Sequence, residues 1–235
     1  MEISVILPTY NEKENLEKLL PILLKNSNVE VVVVDDSSTD GTPNVVKRFM
    51  RKYDNVKLIE RPAKLGLGSA YRDGFRATLG KKIVTMDADL SHDPKYIAEF
   101  SKVIDDMNVD IVIGSRYVSG GRIVGWKPHR KIISWGANFL AKTILGLNVR
   151  DATSGYRMYR RDVFAKIASH STMNGYEFQI EALFLAKKFG FKIHEYPIIF
   201  TDRRTGRSKL TLGEILRFLK AIFKLRFFSG ATLRH

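Results

Sequence analysis

The 235-residue sequence contains no cysteine. That absence excludes a disulfide scaffold, a thiolate zinc site and a cysteine nucleophile. No stretch reaches the ~18 uninterrupted apolar residues of a membrane-spanning helix. The opening MEISVILPTY lacks the charged, apolar and cleavage regions of a secretory signal, so the expected location is cytoplasmic. Histidine is scarce and carries no HExxH spacing, so a zinc site is not expected, and His92, beside an acidic loop, reads as a surface turn residue. Acid is under-represented relative to base: 25 Asp+Glu stand against 39 Lys+Arg, a formal charge of +14. Such an excess favours an anionic partner without choosing among phosphate, nucleic acid and acidic lipid. Much of it lies in the second half, at Arg116, Arg122, Lys127, Arg130, Lys131 and the run from Arg203 to Lys209.

What is present is an alternation of short β-branched runs with amphipathic stretches. Residues 3–7, 29–34, 56–60, 82–87 and 109–115 read as strands with helical patterns between them, which predicts an α/β fold with a mostly parallel sheet and helices on both faces. Ligands of such sheets bind beyond the carboxyl ends of the strands. The simplest division is a catalytic domain over residues 1–210, with a sheet-bearing half to residue 120 and a helical, basic region from 121, followed by an amphipathic basic helix within 211–235. Residues 120–130, GGRIVGWKPHR, read as a mobile loop and 131–145 as a helix. In the last helix Leu212, Ile215, Leu216, Leu219, Ile222 and Phe223 share one face, and Gly213, Arg217, Lys220 and Lys224 the opposite one. Such a helix either lies in a membrane interface or packs on the catalytic domain.

The chemistry is expected where the strands end. The second strand runs into VDDSSTDGT, and acidic residues after a buried strand are costly unless they meet water, a cation or donors. Asp35 and Asp36 are thus placed to take hydroxyls or base nitrogens of a nucleotide, while Ser37 to Asp40 read as caps of the next helix. The fourth strand runs into TMDADLSHDP. There Asp87 and Asp89, one residue apart, converge on one hard divalent cation, Mg²⁺ or Mn²⁺, which prefers oxygen ligands and leaves positions open for diphosphate oxygens. Gly66 and Gly68 match neither a dinucleotide nor a P-loop fingerprint and read as close-packing glycines. A nucleic-acid-binding protein is the competing class, disfavoured because acidic clusters after the strands repel a phosphate backbone.

LPTYNE (7–12), VDDSSTDGT (34–42), the glycine-containing 66–74 segment and DADLSHDP (87–94), in that order, resemble inverting family 2 glycosyltransferases with the nucleotide-diphospho-sugar transferase fold. GSRY (114–117), RKIISWGAN (130–138), DATSGYR (151–157), GYEFQIE (175–181) and DRRTGRSK (202–209) narrow the resemblance to dolichol-phosphate (polyprenol-phosphate) mannose synthases. The resemblance implies transfer of mannose from GDP-mannose to a polyprenyl or dolichyl phosphate at the cytoplasmic face of a membrane, with UDP-glucose as the alternative donor. It implies that Pro8, Tyr10, Glu12, Val34 and Asp36 hold the guanosine part, and that Asp87 and Asp89 hold metal and diphosphate. Arg116, Arg130, Ser134 and Arg203 match the residues around the acceptor phosphate, with Lys209 added; Asp89, Arg116 and Arg203 are the expected catalytic set. Some members carry Gln two places after the second Asp as a further metal ligand; Ser91 stands there in this chain, and its hydroxyl, or a water, is expected to take that place at the metal.

Overall fold

The computed structural model describes residues 1–202 and 212–228. The first part alternates as its periodicity predicts: β1 (Ile3–Thr9), α1 (Lys13–Leu23), β2 (Val29–Asp35), α2 (Thr42–Met50), β3 (Val56–Glu60), α3 (Leu67–Ala77), β4 (Lys82–Thr85), α4 (Tyr96–Asp106) and β5 (Ile111–Ser115). Then come β6 (Arg122–Val124), α5 (Pro128–Leu145), β7 (Arg157–Arg160), α6 (Arg161–His170), α7 (Phe178–Lys188), β8 (Ile193–Pro197), β9 (Ile199–Thr201) and α8 (Leu212–Phe228).

Seven strands form one sheet in the order β3-β2-β1-β4-β7-β5-β8. All neighbours are parallel except β7, which runs antiparallel to both β4 and β5. The region after residue 120 is therefore not only helical, since it supplies two strands to this sheet. From β1 the chain steps outward through β2 and β3, then returns to β4 on the other side of β1. The carboxyl ends of β1 and β4 thus flank the switch point where open α/β sheets carry their ligands.

Strands buried on both faces read as continuous apolar runs, and the pleat sorts them. Val5, Leu7, Val31 and Val33 pack with Leu16, Leu19, Val45 and Phe100 on one face, the side of α1, α2 and α4. Ile6, Val32 and Val34 pack with Tyr71, Phe164, Phe178 and Leu183 on the other, the side of α3, α6 and α7. α5 and α8 extend this second layer through Ala141, Leu145, Ala221, Ile222 and Leu225.

Two expectations are corrected. Residues 120–130 are not a plain loop: β6 pairs in parallel with β9, far along the chain, and Pro128 opens α5 with its φ already set for a helix. In α8 the buried residues are Ala221, Ile222 and Leu225, whereas Leu216 and Phe223 are exposed. The helix is rotated from the face its sequence suggests because it docks against α5 and α7 through Ala221, Ile222 and Leu225. No helix among the described residues is long and apolar enough to cross a membrane.

Candidate active site

A cavity of 860 Å³ opens over the carboxyl ends of β1, β2, β4 and β5. Three residues in the loops after those strands, Asn11, Ser37 and Leu90, have positive φ (56°, 59° and 64°) without being glycine. Such backbone persists where its surroundings fix it. Here the fixing is visible: Asn11 N–H donates to Ser38 Oγ at 2.8 Å, Thr39 N–H to Asn11 Oδ1 at 2.9 Å, and Lys13 N–H to Asp40 at 3.0 Å. Ser38 and Asp40 therefore lace the first two loops together. Asp40 also serves the start of α2 as expected, accepting the N–H and hydroxyl of Thr42, its first residue, at 2.9 and 2.6 Å, since Gly41 before it has no side chain to do so.

Neighbouring Asp35 and Asp36 part company. The Asp35 carboxylate accepts from Thr9 Oγ1 (2.9 Å), Ser38 Oγ (2.6 Å) and Ser38 N–H (2.9 Å), and does not line the cavity. Val34 is likewise buried in the core and off the cavity wall, so neither side chain stands where a donor contact was expected. Asp36 does line the cavity, with Pro8, Tyr10, Glu12 and Lys64, whose ammonium sits 4.4 Å from the Tyr10 ring centre. Asp36 receives Arg61 Nε at 2.5 Å, and Arg61 is itself buried and tied to Ser69 and the Gly66 carbonyl. Burial nevertheless holds the Asp36 carboxyl above its ordinary pKa, against the pull of Arg61. Gly66 and Gly68 behave as close-packing residues: Gly68 N–H donates to the Asn174 carbonyl at 2.7 Å, and a methyl on Gly68 would meet the Met173 carbonyl at 2.5 Å.

Asp87 and Asp89 both line the cavity. The Asp87 side chain is 41% exposed, and Asp89 is buried with Oδ1 receiving the Ser91 N–H at 3.1 Å. No group of three acidic or histidine side chains arranged to hold a metal occurs among the described residues. Two oxygen ligands on an open wall fit a hard divalent cation whose other positions face the cavity. Ser91 does not join them, because its side chain turns inward: its hydroxyl is buried with no hydrogen-bond partner and does not reach the wall. His92 is not a surface residue. It is 3% exposed, stacked on Tyr156 with ring centres 4.9 Å apart and edge-on to Phe200. Its Nδ1 accepts the Asp87 N–H at 3.0 Å, which orients the carboxylate loop. Burial lowers the imidazole pKa although Asp87 and Asp89 stand near, so the ring is neutral at pH 7.

Opposite these carboxylates stand the cations. Arg116 is buried and grips Asp151 with Nε (2.7 Å) and Nη2 (2.7 Å), while its own N–H reaches the same carboxylate at 2.9 Å. Nη2 also meets Thr153, and Nη1 makes no hydrogen bond among the described residues. Arg130 donates to Asp202 at 2.8 Å and lies 4.1 Å over the Trp126 ring, on which Arg116 also packs. Ser134 accepts the Tyr117 hydroxyl at 2.9 Å. Arg116, Arg130 and Ser134 line the cavity together. Arg203 and Lys209 lie outside the described residues. From this polar floor the walls turn apolar, through Ile133, Ala137 and Leu140 of α5 and Ile215, Phe218 and Leu219 of α8.

Reading residues by type missed the supporting set. Asp151 and Thr153 stand in DATSGYR, a segment singled out only for its resemblance, and nothing local marks Asp151 as the partner of Arg116. Trp126 and Gln179 also line the cavity from segments with no motif chemistry of their own.

The model of the family described as "Glycosyl transferase family 2" matches residues 4–168. Among curated proteins the chain is 40% identical over 233 residues to a polyprenol monophosphomannose synthase of Mycolicibacterium smegmatis, covering 94% of this chain and 84% of that one. It is 39% identical to an undecaprenyl-phosphate mannosyltransferase of Micrococcus luteus, with 91% and 89% covered. A dolichol-phosphate mannosyltransferase of Pyrococcus furiosus is 38% identical, with 98% of this chain and 65% of the relative covered. Among solved structures, glucosyl-3-phosphoglycerate synthase from Mycobacterium tuberculosis, in complex with Mn²⁺, UDP and glucosyl-3-phosphoglycerate, superposes with a TM-score of 0.67 at 19% identity, covering 95% of this chain and 78% of that one. A mannosyltransferase from Pyrobaculum calidifontis in complex with GDP-Man and Mn²⁺ gives 0.57 at 19%, with 95% and 69% covered.

Proposed function

The chain belongs to glycosyl transferase family 2, and from that premise we propose that it transfers mannose from GDP-mannose to a polyprenyl monophosphate, with inversion and with Mg²⁺ or Mn²⁺ as cofactor. The observation that carries this reading is the meeting, in one cavity, of the Asp87 and Asp89 carboxylates, the Arg116 and Arg130 guanidiniums, and apolar walls from α5 and α8. The names of the curated relatives supply the sugar and the lipid phosphate.

The mechanism follows from charge. A phosphate monoester has its second pKa near ~6, so the acceptor is already an anionic nucleophile at neutral pH. No general base is required, and the chain's task is to bring two mutually repelling anions together. Pro8, Tyr10, Glu12 and Asp36 receive the nucleoside end. Asp87 and Asp89 hold the cation, which when bound offsets the charge of the departing diphosphate. Arg116, Arg130 and Ser134 take the acceptor phosphate, joined on sequence grounds by Arg203 and Lys209. Asp151 fixes the plane of the Arg116 fork, leaving Nη1 to the ligand. In-line attack on an α-linked donor gives a β-linked product.

A transfer assay with purified protein, Mn²⁺ or Mg²⁺, a polyprenyl phosphate, and either radiolabelled GDP-mannose or UDP-glucose tests the reading. Label is expected in the organic phase from GDP-mannose. Label from UDP-glucose alone would replace the donor, and salt-sensitive binding of DNA or RNA without transfer would replace the class.

We also place the protein on a membrane surface by two helices, not by the last one alone. α5 exposes Ile132, Trp135 and Phe139, with the two rings stacked 5.7 Å apart between Lys131 and Lys142. α8 exposes Leu216, Phe223 and Phe227 beside Lys220 and Lys224. Apolar side chains flanked by cations suit the headgroup boundary of an anionic leaflet. The double variant Trp135→Ala/Phe139→Ala is expected to pellet with anionic phospholipid vesicles at least ~10-fold less well, since two large buried-on-binding aromatics are lost. GDP-mannose binding should stay as in the parent chain. Undiminished pelleting would remove α5 from the interface.

A further inference from the structure

The buried polar atoms near the cavity that have no hydrogen-bond partner among the described residues include both amide atoms of Gln179 and the Tyr71 hydroxyl. Buried polar groups are nearly always paired, and each exception calls for a cause, such as a ligand or an ordered water. Gln179 is 4% exposed, stands in the first turn of α7 and lines the cavity wall. Tyr71, in α3, is fully buried against Phe178. Gly155, which lines the cavity, packs against both. A methyl group on Gly155 would stand 3.1 Å from Gln179 Nε2 and 3.9 Å from the Tyr71 hydroxyl. The Gly155 carbonyl in turn accepts Thr85 Oγ1 at 2.9 Å, at the end of the strand that leads to Asp87. The unpaired amide and phenol therefore lie just behind the cavity wall at Gly155, next to where the group attached to a bound diphosphate would lie.

We propose that Gln179, assisted by Tyr71 behind Gly155, is a specificity-determining site that reads the hydroxyl groups of the transferred hexose. This rests on the sugar-nucleotide reading of the cavity given above. A primary amide suits the task because it presents donors on Nε2 and an acceptor on Oε1, and so pairs with adjacent hydroxyls in one configuration. A phenol adds a group that gives or accepts as needed. A site built to hydrogen-bond a hydroxyl discriminates strongly, because the wrong epimer leaves its polar groups unpaired. The other residues assigned to the donor deal with nucleoside, diphosphate or cation and leave the sugar ring without a reader.

The test is equilibrium binding, in Mn²⁺, of GDP, GDP-mannose and GDP-glucose to the parent chain and to Gln179→Leu, Tyr71→Phe and Gly155→Ala. GDP is expected to bind all four alike, within about twofold. The parent should prefer GDP-mannose over its 2-epimer by ~10-fold or more, and that preference should vanish in Gln179→Leu, which removes both amide atoms at similar volume. Gly155→Ala, whose methyl would crowd the Gln179 amide, should lose it as well, and Tyr71→Phe should lose part of it. If Gln179→Leu fails to fold by thermal melting, the other two variants decide alone. Failure of the parent to bind GDP would strike down the cavity reading itself. Normal GDP binding with the mannose preference intact in the variants, or absent from the parent, would overturn the hexose site and leave Gln179 as a packing group.

Discussion

Replacing Asp89 by alanine is expected to reduce mannosyl transfer by ~10³-fold or more while leaving the chain folded, because it removes charge stabilisation from where the diphosphate departs. Asp87 and Asp89 are the carboxylates that the loop after β4 brings to the cavity, and no group of three acidic or histidine side chains arranged to hold a metal occurs among the described residues. A cation held by one of them would have lost half of its protein ligands. The loop itself has little reason to collapse. The His92 ring is held by Tyr156 and Phe200, and its Nδ1 receives the Asp87 N–H. Among the contacts forfeited is the hydrogen bond from the Ser91 N–H. Asp89→Asn separates the two roles, since an amide oxygen still accepts from Ser91 but brings no charge to a cation. Both variants should show the loss as organic-phase label, chelation of the parent chain should reproduce it, and thermal melting should stay close to the parent's. Undiminished transfer by Asp89→Ala would end the metal assignment.

The parts of this molecule that were legible in its sequence are those whose physics is local. β1 and β2 stand out because a parallel strand covered on both faces has no polar face to interrupt it. The loops that follow them are marked by Asp, Ser, Thr and Asn in places where a buried strand has just ended. β7, by contrast, reads RMYR, and two arginines in four residues conceal a central strand. Arg157 is nevertheless wholly buried, donating to the carbonyls of Gln179 and Ala152, partners that no local pattern announces. His92 was misplaced for the same reason: its neighbours in sequence are a turn, but Tyr156 and Phe200 arrive from elsewhere to bury it. Asp35 and Asp36 are adjacent and chemically identical, and the alternation of the strand alone sends one into the loop lacing and the other to the cavity. Residue type thus pointed to the carboxylates and cations, whereas the groups that hold them still come from distant segments.

Asp151→Ala is the change expected to cost the fold most, about 3–5 kcal/mol, because it leaves a buried guanidinium without its counter-charge. Arg116 is buried, packed against Trp126, Tyr117 and Phe200, and Asp151 accepts three of its hydrogen bonds. At ~2–4 °C per kcal/mol for a chain of this size, the melting temperature should fall by roughly 10 °C. The pH dependence gives an independent check. Burial pushes the Asp151 carboxyl up, but Arg116 outweighs it and holds the native value below the ordinary range. A depressed carboxyl contributes its stability above the unfolded value, near ~4, and loses it as pH falls through the native one. The gap between parent and variant should therefore be flat from neutral pH down to about 5 and narrow only below about 4. Transfer should fall together with stability, since Arg116 would no longer present a fixed Nη1 to the acceptor phosphate. A loss under about 1 kcal/mol would mean that Arg116 reaches water or another acceptor as a surface cation does, and the rigid fork on which its proposed contact depends would go with it.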